Sequence, residues 1–104
     1  MPKIVYRITY PNGKIYVGMD LTDSITYFGS ASAALIAQDF TAEARRSFTV
    51  TRDVLWQSDT ASDRAVRAVE RGLIVALRAN DPAIGYNRWP RRRDALDSAD
   101  ARTA

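Results

Sequence analysis

Cysteine and histidine are both absent from the 104 residues. Without cysteine there is no disulfide framework, no thiol nucleophile and no Cys-ligated zinc or iron–sulfur site. Without histidine there is no imidazole base, no Ser-His-Asp triad and no His-rich metal site. Any catalysis therefore falls to Tyr, Asp, Glu, Lys, Arg, Ser or Thr. Glutamate and lysine are scarce as well, with two of each. No apolar run approaches the roughly 18–20 residues of a membrane span. A strand pattern starts at Lys3, which leaves no room for a signal peptide and sets the expectation of a cytoplasmic protein with no membrane partner. A chain of this length makes one compact domain with one modest core.

What the chain has in quantity is arginine. Thirteen of its fifteen basic residues are Arg, against twelve acidic residues, for a net charge of +3. Residues 1–87 hold ten basic and nine acidic groups, and residues 88–104 hold five and three. The planar guanidinium matches phosphate geometry, so a weakly basic body with an arginine knot at its end is compatible with a nucleic-acid partner. On charge alone, a solvated arginine-rich surface explains the same numbers.

Along the chain, Ile4, Tyr6, Ile8 and Tyr10 alternate onto one face of a strand over residues 3–10. Pro11-Asn12-Gly13 is a turn, because Asn-Gly readily takes positive φ, and residues 14–18 return as a second strand. Residues 19–30 lack a period and read as a loop. Ser30 or Ser32 caps a helix to Phe40 with Ala33, Ile36, Ala37 and Phe40 as its apolar stripe. Thr41 opens a capping-box-like Thr-Ala-Glu-Ala and a short helix ending at Arg45-Arg46. Residues 48–56 form a third strand with Phe48, Val50, Arg52 and Val54 on one face. Thr60 or Ser62 caps the longest helix, over 61–79, whose stripe is Val66, Val69, Leu73, Ala76 and Leu77, and Asn80-Asp81-Pro82 stops it. The order β-β-α-(α)-β-α predicts a small α+β domain: a three-stranded antiparallel sheet flanked by two or three helices. The domain is expected over 1–89, with a basic then polar tail over 90–104 that has little to bury.

Three sets of polar residues are aimed where a core is expected. Glu70 is four positions from Val66 and from Ile74, so it borders the apolar stripe of the long helix. An unpaired buried carboxylate is costly, and such groups are commonly paired with Arg, bound to a metal or used as an acid or base. A salt bridge to Arg67 or an edge position explains Glu70 equally well. Tyr6 and Tyr16 lie side by side across the hairpin, as cross-strand aromatic packing alone would also require. Arg52 is on the inward face of the third strand, where an arginine with a packed stem and a wet head is the plain alternative.

These residues together resemble a known family. Ile4-Val5-Tyr6, followed by Tyr16-Val17-Gly18 in the context Asn-Gly-Lys-Ile-Tyr-Val-Gly, resembles the two-part signature of the GIY-YIG nuclease family. Tyr27-Phe28-Gly29-Ser30 looks like the Tyr-x-Gly-Ser of its freestanding phage homing endonucleases, and Arg52-Asp53-Val54-Leu55 like their third strand. Glu70 followed by Leu73-Ile74 resembles the helix bearing the family's metal-binding glutamate, and Tyr86-Asn87 the pair that closes the module. The likeness spans residues 3–89 in order.

The resemblance implies hydrolysis of DNA phosphodiester bonds with one divalent cation, Mg2+ or Mn2+, held by Glu70. It implies that Tyr6 helps deprotonate the attacking water, Tyr16 positions water or phosphate, and Asn87 orients the surrounding groups. Many family members carry an arginine on the helix after the second triplet, whereas residues 19–40 here hold no Arg, Lys or His. Phosphoryl transfer needs positive charge, and Arg52, then Arg46, then Lys14 are the replacements the sequence offers. Arg88, Arg91 and Arg92 around Trp89 are candidates to grip phosphates and stack a base. No reading head fits in the remaining residues, so target preference would come from the module or from a separate partner. The alternative reading is a nucleic-acid-binding module that keeps the fold with little or no activity.

Overall fold

The computed structural model describes residues 2–22 and 31–91. The Tyr27–Ser30 resemblance, the alternative cap Ser30, Arg92 and the tail beyond it lie outside the described residues. The chain runs β1 (Lys3–Thr9), β2 (Ile15–Asp20), α1 (Ala33–Asp39), a 3-10 turn (Ala44–Arg46), β3 (Thr51–Ser58) and α2 (Asp63–Leu77). The sheet is antiparallel throughout, in the order β2-β1-β3. This is the α+β architecture that the sequence pattern predicts.

The hairpin forms where the pattern places it, with Gly13 at φ 86° in its turn and the Asn12 side chain accepting from the Lys14 N–H at 3.0 Å. Alternation along β1 and β2 sends residues to two faces. Val5 and Val17 face α2 and join Val66, Ile74 and Ala79 in the main core, while Ile4, Tyr6, Ile8 and Tyr16 form a second cluster on the other face.

β3 begins at Thr51, three residues later than the alternation predicts. Phe48 is drawn into an aromatic group instead, stacked on Phe40 at 5.2 Å between centroids and 6.2 Å from Tyr10. A bulge opposite Val5 and Tyr6 adds one residue, Leu55, to β3, so that Val54 pairs with Tyr6 but Trp56 pairs with Val5. The extra residue reverses the strand's parity. Arg52 and Val54 keep to the tyrosine face, and Trp56 turns to the α2 side and packs on the main core.

Ser62 caps α2 by accepting from the Ala65 N–H at 3.1 Å, and Asp63 in the first turn pairs with Lys3 at 2.8 Å. The helix stops at Leu77, before the predicted end, because Arg78 takes a left-handed conformation (φ 58°) and closes back onto Ile74 and Val75. Two details of the predicted stripes are corrected. Ala76 is exposed and Ile74 is buried in its stead, since Ala76 is rotated about 100° from Leu77. Ala33 and Ala37 are exposed, and α1 buries no residue. Its cap is Ser32, whose hydroxyl accepts from the Leu35 N–H at 3.4 Å.

The outer edge of β2 is sealed residue by residue. Ile15 exchanges backbone bonds with Ile84 (3.1 Å) and Tyr86 (2.8 Å). Asn87 then acts as a strand in miniature: its side-chain carbonyl accepts from the Val17 N–H at 2.8 Å and its amide donates to the Val17 carbonyl at 2.7 Å. The next outward N–H belongs to Met19, and it favours the charged form of the Glu70 carboxylate.

Candidate active site

Four of the predicted site residues contact β2 at residues 17–19: Tyr6 and Tyr16 on one face, at Gly18, and Asn87 and Glu70 along the edge, at Val17 and Met19. Tyr6 stands on the central strand directly opposite Gly18. A Cβ at position 18 would lie 2.6 Å from the Tyr6 phenol oxygen and 2.9 Å from the Tyr16 ring. Glycine at that position is therefore what allows both rings to converge over β2, with the Tyr6 phenol reaching past its own strand toward the edge. Glu70 arrives at the same edge from α2, one residue further on. Tyr6 is fully buried and Tyr16 is 8% exposed.

Arg52 covers Tyr6, its guanidinium carbon 4.9 Å from the ring centroid. Among the described residues, its Nε and one terminal nitrogen are buried without any hydrogen-bond partner. Buried guanidinium donors left unpaired are expensive, and native proteins rarely keep them without a reason.

Comparison with family models, with curated proteins and with solved structures finds no match for this chain.

The remaining predicted residues are used differently. Asn87 has both polar atoms on the Val17 backbone, so it fixes the strand that carries Tyr16 and Gly18. Lys14 is held by Asp39 at 2.6 Å, in a network where Asp39 also accepts from the Tyr86 hydroxyl at 2.7 Å. Arg46 is exposed at the end of the 3-10 turn, away from these groups in the fold. Arg88 and Arg91 are exposed on either side of Trp89. Sequence reasoning passed over Gly18 as a shaping residue and over Arg71, and weighed Arg67 only as an ion-pair partner for Glu70; both arginines line a cleft with Glu70. Their i, i+4 spacing on the Glu70 helix was the available signal.

Burial pushes the Glu70 carboxyl above its ordinary range, against the pull of the Met19 N–H and of Arg67. Asp39 is shifted the other way, chiefly by the hydrogen bond from Lys14 and then by that from Tyr86. The Tyr86 phenol is pushed up to about 12 by burial and by its bond to Asp39. Among the described residues, no group of three or more Asp or Glu side chains could hold a metal ion. Glu70 alone offers a single hard oxygen ligand. That suits a small divalent cation that keeps most of its water and takes further oxygens from a phosphate.

Proposed function

We propose that this protein is a metal-dependent endonuclease that hydrolyses phosphodiester bonds in DNA, of the GIY-YIG type, acting in the cytoplasm. The observation that carries the reading is Arg52, with two buried, unbonded nitrogens, its guanidinium held over the Tyr6 ring. Fixed donors of this kind, in a place sheltered from water, suit the oxygens of a phosphate gaining negative charge in the transition state. Arg52 thereby stands in for the cation that residues 19–40 lack. Tyr16 hydrogen-bonds the phosphate or the attacking water, and Tyr6, acting as its phenolate, takes the water's proton behind it. Glu70 would hold the divalent cation, which when bound supplies Lewis-acid stabilisation of the phosphate and leaving oxygens. Asn87 and Gly18 act through β2, one fixing its backbone and the other leaving room for the phenols.

No described helix is long and apolar enough to cross a membrane. The absence of cysteine agrees with a reducing compartment but does not require one.

The test is nicking of supercoiled plasmid DNA with Mg2+ or Mn2+. Arg52→Ala is expected to lose about 100-fold or more in rate, the usual cost of removing one preorganised donor, and Tyr6→Phe to lose activity strongly. Wild-type rates in Arg52→Ala would overturn its role at the phosphate.

A further inference from the structure

A cleft of about 310 Å3 opens between α2 and the segment after Asn87, lined among others by Met19, Arg67, Glu70, Arg71 and Trp89. Trp89 is 66% exposed. It is nevertheless not part of a free tail. Two residues before it, Asn87 is clamped to Val17, and one residue after it the Pro90 carbonyl accepts from the Asn80 side chain at 2.6 Å. The fold thus anchors the backbone on either side of an indole that lines the cleft with much of its surface uncovered.

Across the cleft, Arg67 and Arg71 are exposed and stand one helical turn apart on α2. Among the described residues, neither makes an ion pair with a carboxylate. An exposed aromatic wall sharing a cleft with two guanidinium groups that make no salt bridge is complementary to a base joined to a phosphate. The volume lies at the small end of ligand-sized sites, roughly 300–1,000 Å3. It has room for one nucleotide and none for a duplex.

We infer that this cleft takes one unpaired nucleotide of the strand flanking the cut, its base on Trp89 and its phosphate on Arg67 and Arg71. The inference rests on the nuclease reading for its choice of polymer. Because Glu70 belongs to both places, the cleft leads directly away from the site of cutting, and the nucleotide beside the scissile phosphate is drawn out of its stack into it.

The test uses an oligothymidylate of about eight residues, within the range of single-strand site sizes, titrated into the whole protein in EDTA, where no cutting occurs. Emission from Trp89 is expected to be quenched on binding, with Trp56 as background. Trp89→Leu is expected to lose the quenching and to bind about 5- to 150-fold more weakly, as removal of one stacked base predicts. The double variant Arg67→Ala, Arg71→Ala is expected to bind more weakly and to flatten the slope of log affinity against log salt by about 0.7, one single-strand phosphate's worth. Unchanged melting temperatures check that both variants fold. No binding, binding without quenching, or equal affinity in both variants would overturn the inference. The two readings fail separately. Plasmid nicking with tight oligonucleotide binding that ignores Trp89 sinks the cleft and leaves the nuclease; Trp89-dependent binding by a protein that never nicks does the reverse.

Discussion

At Glu70, burial and charge work against each other. The carboxyl group is half-buried on the core-facing side of α2, and burial raises its pKa. Its folded pKa therefore exceeds its unfolded value of about 4.3, so the folded state holds the proton more tightly. Any stability from this group is complete below that unfolded value and is lost as pH rises through the folded one. At neutral pH the ionised side chain is thus a burden on the fold. Glu70→Gln keeps a side-chain oxygen near the Met19 N–H and removes the charge. Its melting temperature is expected to equal or exceed that of the wild type at pH 7, with the difference closing toward pH 4. Thermal melts at the two pH values check this, and a clear loss of stability at pH 7 would mean that the charge is held by the fold itself. A carboxyl group whose ionisation costs stability is of the kind that functional sites retain.

At the level of elements, the edge of β2 organises everything nearby. Asn87→Ala removes two hydrogen bonds and leaves the Val17 N–H and carbonyl unmet, at an expected cost of about 2–4 kcal/mol. Chemical denaturation measures the loss, and amide exchange at Val17 locates it. Gly18→Ala places a methyl group 2.6 Å from the Tyr6 oxygen. The phenol has to move, with a fall in activity and a cost of about 1–3 kcal/mol. Gly72, mid-helix on α2, has nothing within 4 Å of an added Cβ. Gly72→Ala is therefore expected to stabilise the protein by about 0.5–1 kcal/mol and serves as the control. The hairpin was legible because alternation and an Asn-Gly turn are local signals. The displaced start of β3 was not, because the pull on Phe48 comes from Phe40 and Tyr10, and a bulge leaves no mark in a hydrophobic pattern. The service of Asn87 to β2 was hidden for the same reason: its partner lies seventy residues earlier.

Over the whole molecule, the single sheet divides the labour. One face packs on α2 and supplies the main core, and the other carries the tyrosines and Arg52. Their two territories meet only where Glu70 reaches the β2 edge. Tyr6, Tyr16, Arg52 and Glu70 could be picked out of the sequence because each is a polar group at a position where periodicity calls for an apolar one. Arg67 and Arg71 could not, since exposed arginines on a helix read as a solvated face until Trp89 is placed opposite them. Lys14 misled in the opposite direction: it stands beside Tyr16 in the sequence, but Asp39 takes up its charge. The central claim is that the groups gathered at the β2 edge hydrolyse a phosphodiester through Glu70. The most direct test is the nicking rate of supercoiled DNA in Mg2+ for the wild type and Glu70→Gln, side by side. Nicking by the wild type and none by a fully folded Glu70→Gln is the predicted result. Equal nicking by both, or none by the wild type with either Mg2+ or Mn2+, would contradict it.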